Sequence, residues 1–310
     1  MQLEGKRALI TGAGSGIGRA LAIEASRRGM TVALCGRRAD ALYATLNLMA
    51  SGKGHLRLRG DITDPAVRRG LRDYLWRYWG GLDVLVNNAG VVAVGPLAHA
   101  TDEELERVMA TNIVAPLALT RDLLPLLRRS TPSRIVNIGS VFGDIAYPLV
   151  AAYSASKFAL RGQSIALRRE LKPYGIGVTY AAPRATKTDA SPAFEPLIEP
   201  MQMRMDDPAV VASQIWRAVV QDMDSVYAKG PERLFVLVQR LAPKIVDRAI
   251  ASQMTDPRIR DYLGKSHEAA RTRPGDHSDD AQAARGTRSI NFTGMPSPDR
   301  PVDNETEVKA

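Results

Sequence analysis

The sequence predicts a doubly wound α/β fold, a parallel sheet with helices on both faces, and three observations carry that prediction. Short apolar runs alternate with amphipathic stretches over most of the chain. The first run leads into a glycine-rich turn that opens a helix. The run at 82–86 is nearly all apolar, as strands are when both faces of their sheet are covered. Strands alternating with helices demand right-handed crossovers, and ligands then bind beyond the carboxyl ends of the strands.

Arg7–Thr11 forms the first strand. Gly12, Gly14, Gly16 and Gly18 follow it, and a helical pattern through Ile17, Leu21 and Ala25 ends at Gly29. Such a turn lets backbone N–H groups and a helix N-terminus approach a pyrophosphate, where a β-carbon would obstruct. The second strand, 31–35, runs into Gly36, Arg37 and Arg38 with no acidic residue. A carboxylate there would pair with a ribose 2′-hydroxyl, whereas Arg37 suits a 2′-phosphate. Two solvated arginines at a helix start are the plainer alternative.

A helix over 39–50 precedes an alternating strand at 55–59 that runs into Asp61. Asp64 and Pro65 read as an N-cap with proline at the first helical position. The apolar strand at 82–86, interrupted by Asp83, opens into Asn87, Asn88, Ala89 and Gly90. Thr101 and Glu104 form a capping box for a long helix that carries Asn112 in mid-course. A strand at 135–138, a helix over 153–174 and a strand at 178–182 follow, and Asp207 with Pro208 caps a further helix.

Composition narrows the function. At 310 residues and 45% hydrophobic the chain fills one large domain or two small ones. A single cysteine, Cys35 in an apolar run, excludes an internal disulfide framework and reads as a small core residue. The start leads straight into a strand, so no signal peptide is expected, no run reaches transmembrane length, and a cytoplasmic location is expected. The net charge of +9 comes from scattered arginines without interleaved aromatics, so no nucleic-acid partner is expected. His55 and His99 stand alone and His267 and His277 lie near the end, so no metal site is expected.

The side chains propose a reaction only around Tyr153. Tyr153 and Lys157 are four apart and stack on one helix face, and Ser140 ends a strand where its hydroxyl can bond the same reacting oxygen. An ammonium nearby favours the phenolate, but lowering a tyrosine from about 10 to about 7 needs roughly 4 kcal/mol. The positive ring of an oxidised nicotinamide is the natural second source. With nine tyrosines in the chain such a pair arises by chance, so the remaining motifs must decide.

They do so as a set. From about residue 5 to 230 the chain resembles the short-chain dehydrogenase/reductases, matching Thr-Gly-x-x-x-Gly-x-Gly at 11–18, Asn-Asn-Ala-Gly at 87–90, Asn112, Ser140, and Tyr-x-x-x-Lys at Tyr153 and Lys157. The resemblance implies a Rossmann-like sheet of about seven strands and hydride transfer between a nicotinamide and a carbonyl or alcohol carbon. It implies Tyr153 as acid and base, Lys157 on the nicotinamide ribose, Ser140 orienting substrate and Asn112 holding a relay water. Gly12, Ser15, Gly16, Ile17, Gly18, Arg37, Asp61, Ile62, Asn88, Ala89, Gly90, Pro183 and Thr188, with Tyr153 and Lys157, make up the implied cofactor site. Arg37 makes NADP the expected cofactor ahead of NAD.

One departure stands out. Arg184 follows Pro183 where the family has glycine, leaving open whether a guanidinium points at cofactor or substrate. A substrate loop is expected over 184–207, with Phe194, Leu197, Ile198, Met201, Met203 and Met205 joining Phe142, Tyr147, Pro148 and Leu149 as candidate walls for an apolar ligand. A basic, apolar helical segment over 231–263 reads as a pocket lid, a membrane-surface helix or, preferred, a contact within a homodimer or homotetramer. Residues 1–263 are expected as one domain and 264–310 as a disordered tail. The competing function is an NADP-binding sensor or scaffold with reduced turnover, which the complete set of Asn112, Ser140, Tyr153 and Lys157 argues against.

Overall fold

The computed structural model describes residues 1–271 except 51–53, 189–193, 202, 229 and 231. One seven-stranded sheet, all parallel, runs in the order β3-β2-β1-β4-β5-β6-β7. The strands are β1 (Arg7–Thr11), β2 (Thr31–Gly36), β3 (Leu56–Arg59), β4 (Val84–Asn87), β5 (Ser133–Ile138), β6 (Ile176–Ala182) and β7 (Ser225–Tyr227). Chain order reverses between β1 and β4, which opens a crevice at their carboxyl ends.

Side-chain alternation divides the core. Ala8 and Ile10 of β1 pack with α1 (Gly16–Arg27), α2 (Ala39–Asn47) and α8 (Pro208–Val220), where Trp216 is fully buried and donates its indole N–H to the Leu21 carbonyl at 3.0 Å. Leu9 points the other way, into α3 (Pro65–Trp79), α5 (Ala115–Arg129) and the end of α6 (Ala151–Leu171). Cys35 lies buried in that second layer, and burial pushes its thiol up to about 12.

The expected caps form. Asp64 accepts from the Ala66 N–H at 2.7 Å, Asp207 from Ala209 at 2.7 Å, and Thr101 and Glu104 close a reciprocal box at the start of α4 (Asp102–Met109). Boundaries move where backbone bonding changes. The second helix stops at Asn47 rather than 50, because Leu48 and Met49 bond three residues back, to Thr45 and Leu46. The helix expected to start at 153 begins at Ala151, and its last three expected residues tighten into a 3-10 turn around Pro173.

The long helix around Asn112 is interrupted by a π turn, Ala110–Val114, between α4 and α5. Residue 116 is proline, so the N–H that would ordinarily bond the Asn112 carbonyl one turn earlier does not exist.

Beyond the sheet, α7 (Glu195–Ile198) sits within the 184–207 segment, and α9 (Glu232–Leu241), α10 (Pro243–Gln253) and α11 (Pro257–Arg271) form the extension. Helix α11 corrects the boundary expected at 264, since it continues to Arg271. The rest of the expected tail, 272–310, lies outside the described residues.

Candidate active site

A cleft of about 350 Å³ lies over the carboxyl ends of the central strands. Of the residues singled out in the sequence, Gly12, Ser15, Gly16, Ile17, Arg37, Asp61, Ile62, Asn88, Ala89, Gly90, Ser140, Tyr153, Lys157, Pro183 and Thr188 line it. Gly18 and Asn112 do not; they stand behind the wall and shape it.

The glycine turn is built by close approach. Gly12 has φ +64°, and a β-carbon there would meet the Asn88 amide nitrogen at 2.8 Å; Gly16 has φ +52° against Thr188. A side chain at Gly18 would collide with the Gly12 carbonyl and Asn88. Thr11 ties this turn to the next loop, its hydroxyl donating to the Val86 carbonyl at 3.2 Å and accepting from the N–H groups of Asn88 and Ala89, both at 3.0 Å. Ser15 caps α1 in extended backbone with no side-chain capping bond, and the first turn carries no acid. The open end of α1 therefore presents N–H groups and a free hydroxyl to the cleft, which fits a pyrophosphate.

At the end of the cleft beyond β2, Arg37 is largely exposed and its Nη1 stands 3.9 Å from Asp61 Oδ2. Asp61 is held by Thr63, which donates its N–H at 2.9 Å and its hydroxyl at 2.8 Å. Arg38, which the sequence reading left without a role, also lines the cleft.

At the other end, Ser140 starts a 3-10 turn, accepting from the Phe142 N–H at 3.1 Å. Lys157 is buried and donates to the Ile138 carbonyl at 2.9 Å, with Nζ 5.5 Å from the centre of the Tyr153 ring. Burial lowers Lys157 to about 8. Burial raises the Tyr153 phenol to about 12, against a smaller lowering by its hydrogen bond with Ser140. Tyr153 is half-buried, and solvent at its open edge screens part of that rise. The expected lowering drew on a bound oxidised nicotinamide beside Lys157; in the protein alone desolvation outweighs the lysine. The aromatic edges of Phe142 (centroid 6.3 Å) and Phe194 (6.1 Å) desolvate the phenol, and the lysine sits too far across the ring to offset them.

The Asn112 side chain is fully engaged, accepting the Val91 N–H at 2.9 Å and donating to the Val91 carbonyl at 2.9 Å and Ser156 Oγ at 3.0 Å. The residue four positions on, Pro116, has no N–H to offer the Asn112 main-chain carbonyl.

Three features were not foreseen. Tyr180 of β6 is buried beneath the Ser140 turn, receiving the Ser140 N–H at 3.4 Å and donating to the Ser140 carbonyl at 3.1 Å; β-carbons at Gly139 or Gly143 would strike its ring or hydroxyl. Asp144, at the end of the same turn, is buried and gathers Arg161 (2.9 Å), Arg240 (3.0 Å) and the Tyr227 hydroxyl (3.1 Å). Arg184, whose direction the sequence left open, pairs with Asp206 at 2.6 Å. Asp206 also donates its N–H to the Ala185 carbonyl at 2.8 Å and accepts the Lys187 N–H at its own carbonyl at 3.0 Å, so the two ends of the 184–207 segment are fastened together. The Arg184 charge is thereby neutralised at the cleft wall. None of these was readable from spacing, because each partner is distant in the chain.

The apolar wall is also redrawn. Phe142, Phe194, Met203 and Met205 line the cleft, while Leu197 and Met201 pack behind it with Val150 and Ile259. No described residue of the 231–263 segment, for which a pocket lid is one expectation, lines this cleft. Among the described residues no cluster able to hold a metal occurs, and no helix is long and apolar enough to cross a membrane.

Fold and cleft together define a dinucleotide-binding α/β protein with a tyrosine, a lysine and a serine converging at one end of its ligand site. The family model for short chain dehydrogenases matches residues 6–196, and the chain belongs to that family, oxidoreductases that transfer hydride between a nicotinamide cofactor and a CH–OH or carbonyl carbon. It is 31% identical over 260 residues to "Dehydrogenase/reductase SDR family member 7B" of Bos taurus, covering 79% of this chain and 80% of that protein. To the 3-oxoacyl-(acyl-carrier-protein) reductase FabG of Escherichia coli it is 35% identical over 195 residues, 63% of this chain and 79% of that one. Among solved structures, a short chain dehydrogenase/reductase from Burkholderia phymatum in complex with NAD superposes with a TM-score of 0.71 at 25% identity, covering 79% of this chain and 96% of that one.

Proposed function

We propose that the protein interconverts an apolar carbonyl compound and its alcohol using NADP(H), with Tyr153 moving the proton. The observation that carries this reading is the convergence of Ser140, Tyr153 and Lys157 on a cleft that Phe142, Phe194, Met203 and Met205 also line. The dinucleotide, when bound, supplies or accepts the hydride. Ser15, Gly16 and Ile17 would hold its pyrophosphate, Asp61 and Ile62 its adenine, and Asn88, Ala89, Gly90, Pro183 and Thr188 the nicotinamide half. The Ser140 hydroxyl orients the substrate oxygen toward the Tyr153 phenol. With that phenol held well above neutrality it stays protonated, which suits it to donate a proton to a carbonyl being reduced.

The cofactor choice rests on Arg37 and Arg38, which directly follow β2 where a carboxylate would instead pair with a ribose 2′-hydroxyl. Arg37→Ala should weaken NADPH binding by about tenfold to a hundredfold while moving NADH by less than about twofold. Fluorescence titration with both dinucleotides reads this directly. Equal weakening of the two would place the guanidinium in solvent, paired only with Asp61.

The substrate choice rests on the wall, since Arg184 is paired with Asp206 and Phe142, Phe194, Met203 and Met205 are apolar. Each methylene buried there contributes about 0.8 kcal/mol, so kcat/KM for a homologous series of aldehydes should rise roughly two- to fourfold per carbon until the cleft fills. The series is run beside short keto acids with NADPH oxidation as the readout. Faster turnover of the keto acids, with no dependence on length, would reject an apolar substrate.

A further inference from the structure

Helix α9 carries its apolar stripe on the outside. Leu234, Leu237, Val238 and Leu241 recur at the i, i+3, i+4, i+7 spacing that ordinarily faces a core. Yet Leu234, Leu237 and Leu241 are each at least half exposed, Leu241 to 76%, and Phe235 beside them is 53% exposed; only Val238 tucks partly inward. The inner side carries the buried Val236 and Arg240, whose guanidinium reaches back to Asp144. Ile245 on the first turns of α10 adds a fifth exposed apolar side chain. At 100° per residue Arg233 falls along one edge of the stripe, and Lys244 and Arg248 of α10 are exposed as well. Against these cations the two helices contain only Glu232, at the first position, and Asp247.

We propose that this face docks on the surface of an anionic lipid bilayer, the leucines, Phe235 and Ile245 entering the acyl boundary while Arg233, Lys244 and Arg248 meet headgroup phosphates. The charge pattern selects this occupant over a second copy of the chain. An isologous contact would set Arg233, Lys244 and Arg248 against their own copies with few carboxylates to answer them. Position supports it too. Tyr147 packs both on the cluster under α9 and α10 (Ile145, Val236, Val246) and on the cluster behind the cleft wall (Phe142, Leu197, Met201). A bilayer held by α9 and α10 therefore stands beside the mouth through which an apolar ligand would come. The docking itself does not depend on the redox reading.

The test is flotation of the full chain with vesicles of phosphatidylcholine alone and of phosphatidylcholine mixed with phosphatidylglycerol. The protein should float with the mixed vesicles and detach as salt rises. Leu234→Ser with Leu237→Ser and Leu241→Ser should weaken partition at least about tenfold, and so should Arg233→Glu with Lys244→Glu and Arg248→Glu, while melting temperature and NADPH affinity stay at wild-type values. If the serine variant melts early, the charge variant alone decides. Three outcomes overturn the proposal: no flotation, or flotation indifferent to both variants; a light-scattering mass that halves in the serine variant, which makes the face a contact between copies; and flotation that appears only after removal of 272–310, which makes the chain's own end the occupant.

Discussion

Tyr153→Phe should lower turnover by about 10³-fold while leaving dinucleotide affinity within about twofold. The substitution removes one oxygen and keeps the ring, so the packing of that ring against Phe142 and Phe194 survives. What disappears is the proton that burial holds on the phenol up to about pH 12 in the protein alone. The wild-type pH profile follows from the same direction of shift. Carbonyl reduction needs the protonated phenol and should be nearly flat from about pH 6 to 8, whereas alcohol oxidation needs the phenolate and should climb with pH below the phenol's own pKa. Both rates are measured by NADPH absorbance. A variant within tenfold of wild type, or one that keeps the rising oxidation profile, would remove Tyr153 from the reaction.

Lys157→Met should also abolish turnover, by at least about 10²-fold, and unlike the tyrosine change it should weaken the dinucleotide. It carries a stability signature that no surface lysine has. Native Lys157 is buried and releases its proton near pH 8, while the unfolded chain holds that proton to about 10.5. Below pH 8 the native state therefore bears the full burden of a buried ammonium, about 3 kcal/mol. Between pH 8 and 10.5 the unfolded state binds more protons, so wild-type stability must rise with pH over that window relative to the methionine variant. Paired urea titrations at pH 7 and pH 10 measure the difference. A constant gap between the two proteins would show that the ammonium is solvated, and the burial argument for its lowered pKa would fail.

Much of the fold was readable in the sequence because its signals are local. A strand buried on both faces must be apolar throughout, as in residues 84–86, and a helix start needs an acceptor for its free N–H groups, as at Asp64, Thr101 and Asp207. The glycine turn was readable for the same reason, since φ +64° at Gly12 and the approach of Asn88 admit no side chain. Boundaries were less so. The change from four-back to three-back bonding at Leu48 and Met49 leaves no mark in composition, and α11 runs past Gly264 to Arg271 through residues that look like loop.

The sequence by itself determined the parallel sheet, the crevice at its carboxyl ends and the identities of the groups brought there, because period, glycine and capping are written over a few consecutive residues. Only the tertiary structure decided what those groups experience. It set Phe142 and Phe194 against Tyr153 and so raised a phenol that spacing to Lys157 alone would lower. It closed Arg184 onto Asp206, 22 residues away, and so took a charge out of the cleft. It also turned the stripe of α9 outward, burying Val236 against Ile145 and Val246 and pairing Arg240 with Asp144, 96 residues earlier, since only one helix face can turn inward. Desolvation, ion pairing and the choice of buried face depend on neighbours far along the chain, and no local pattern specifies them.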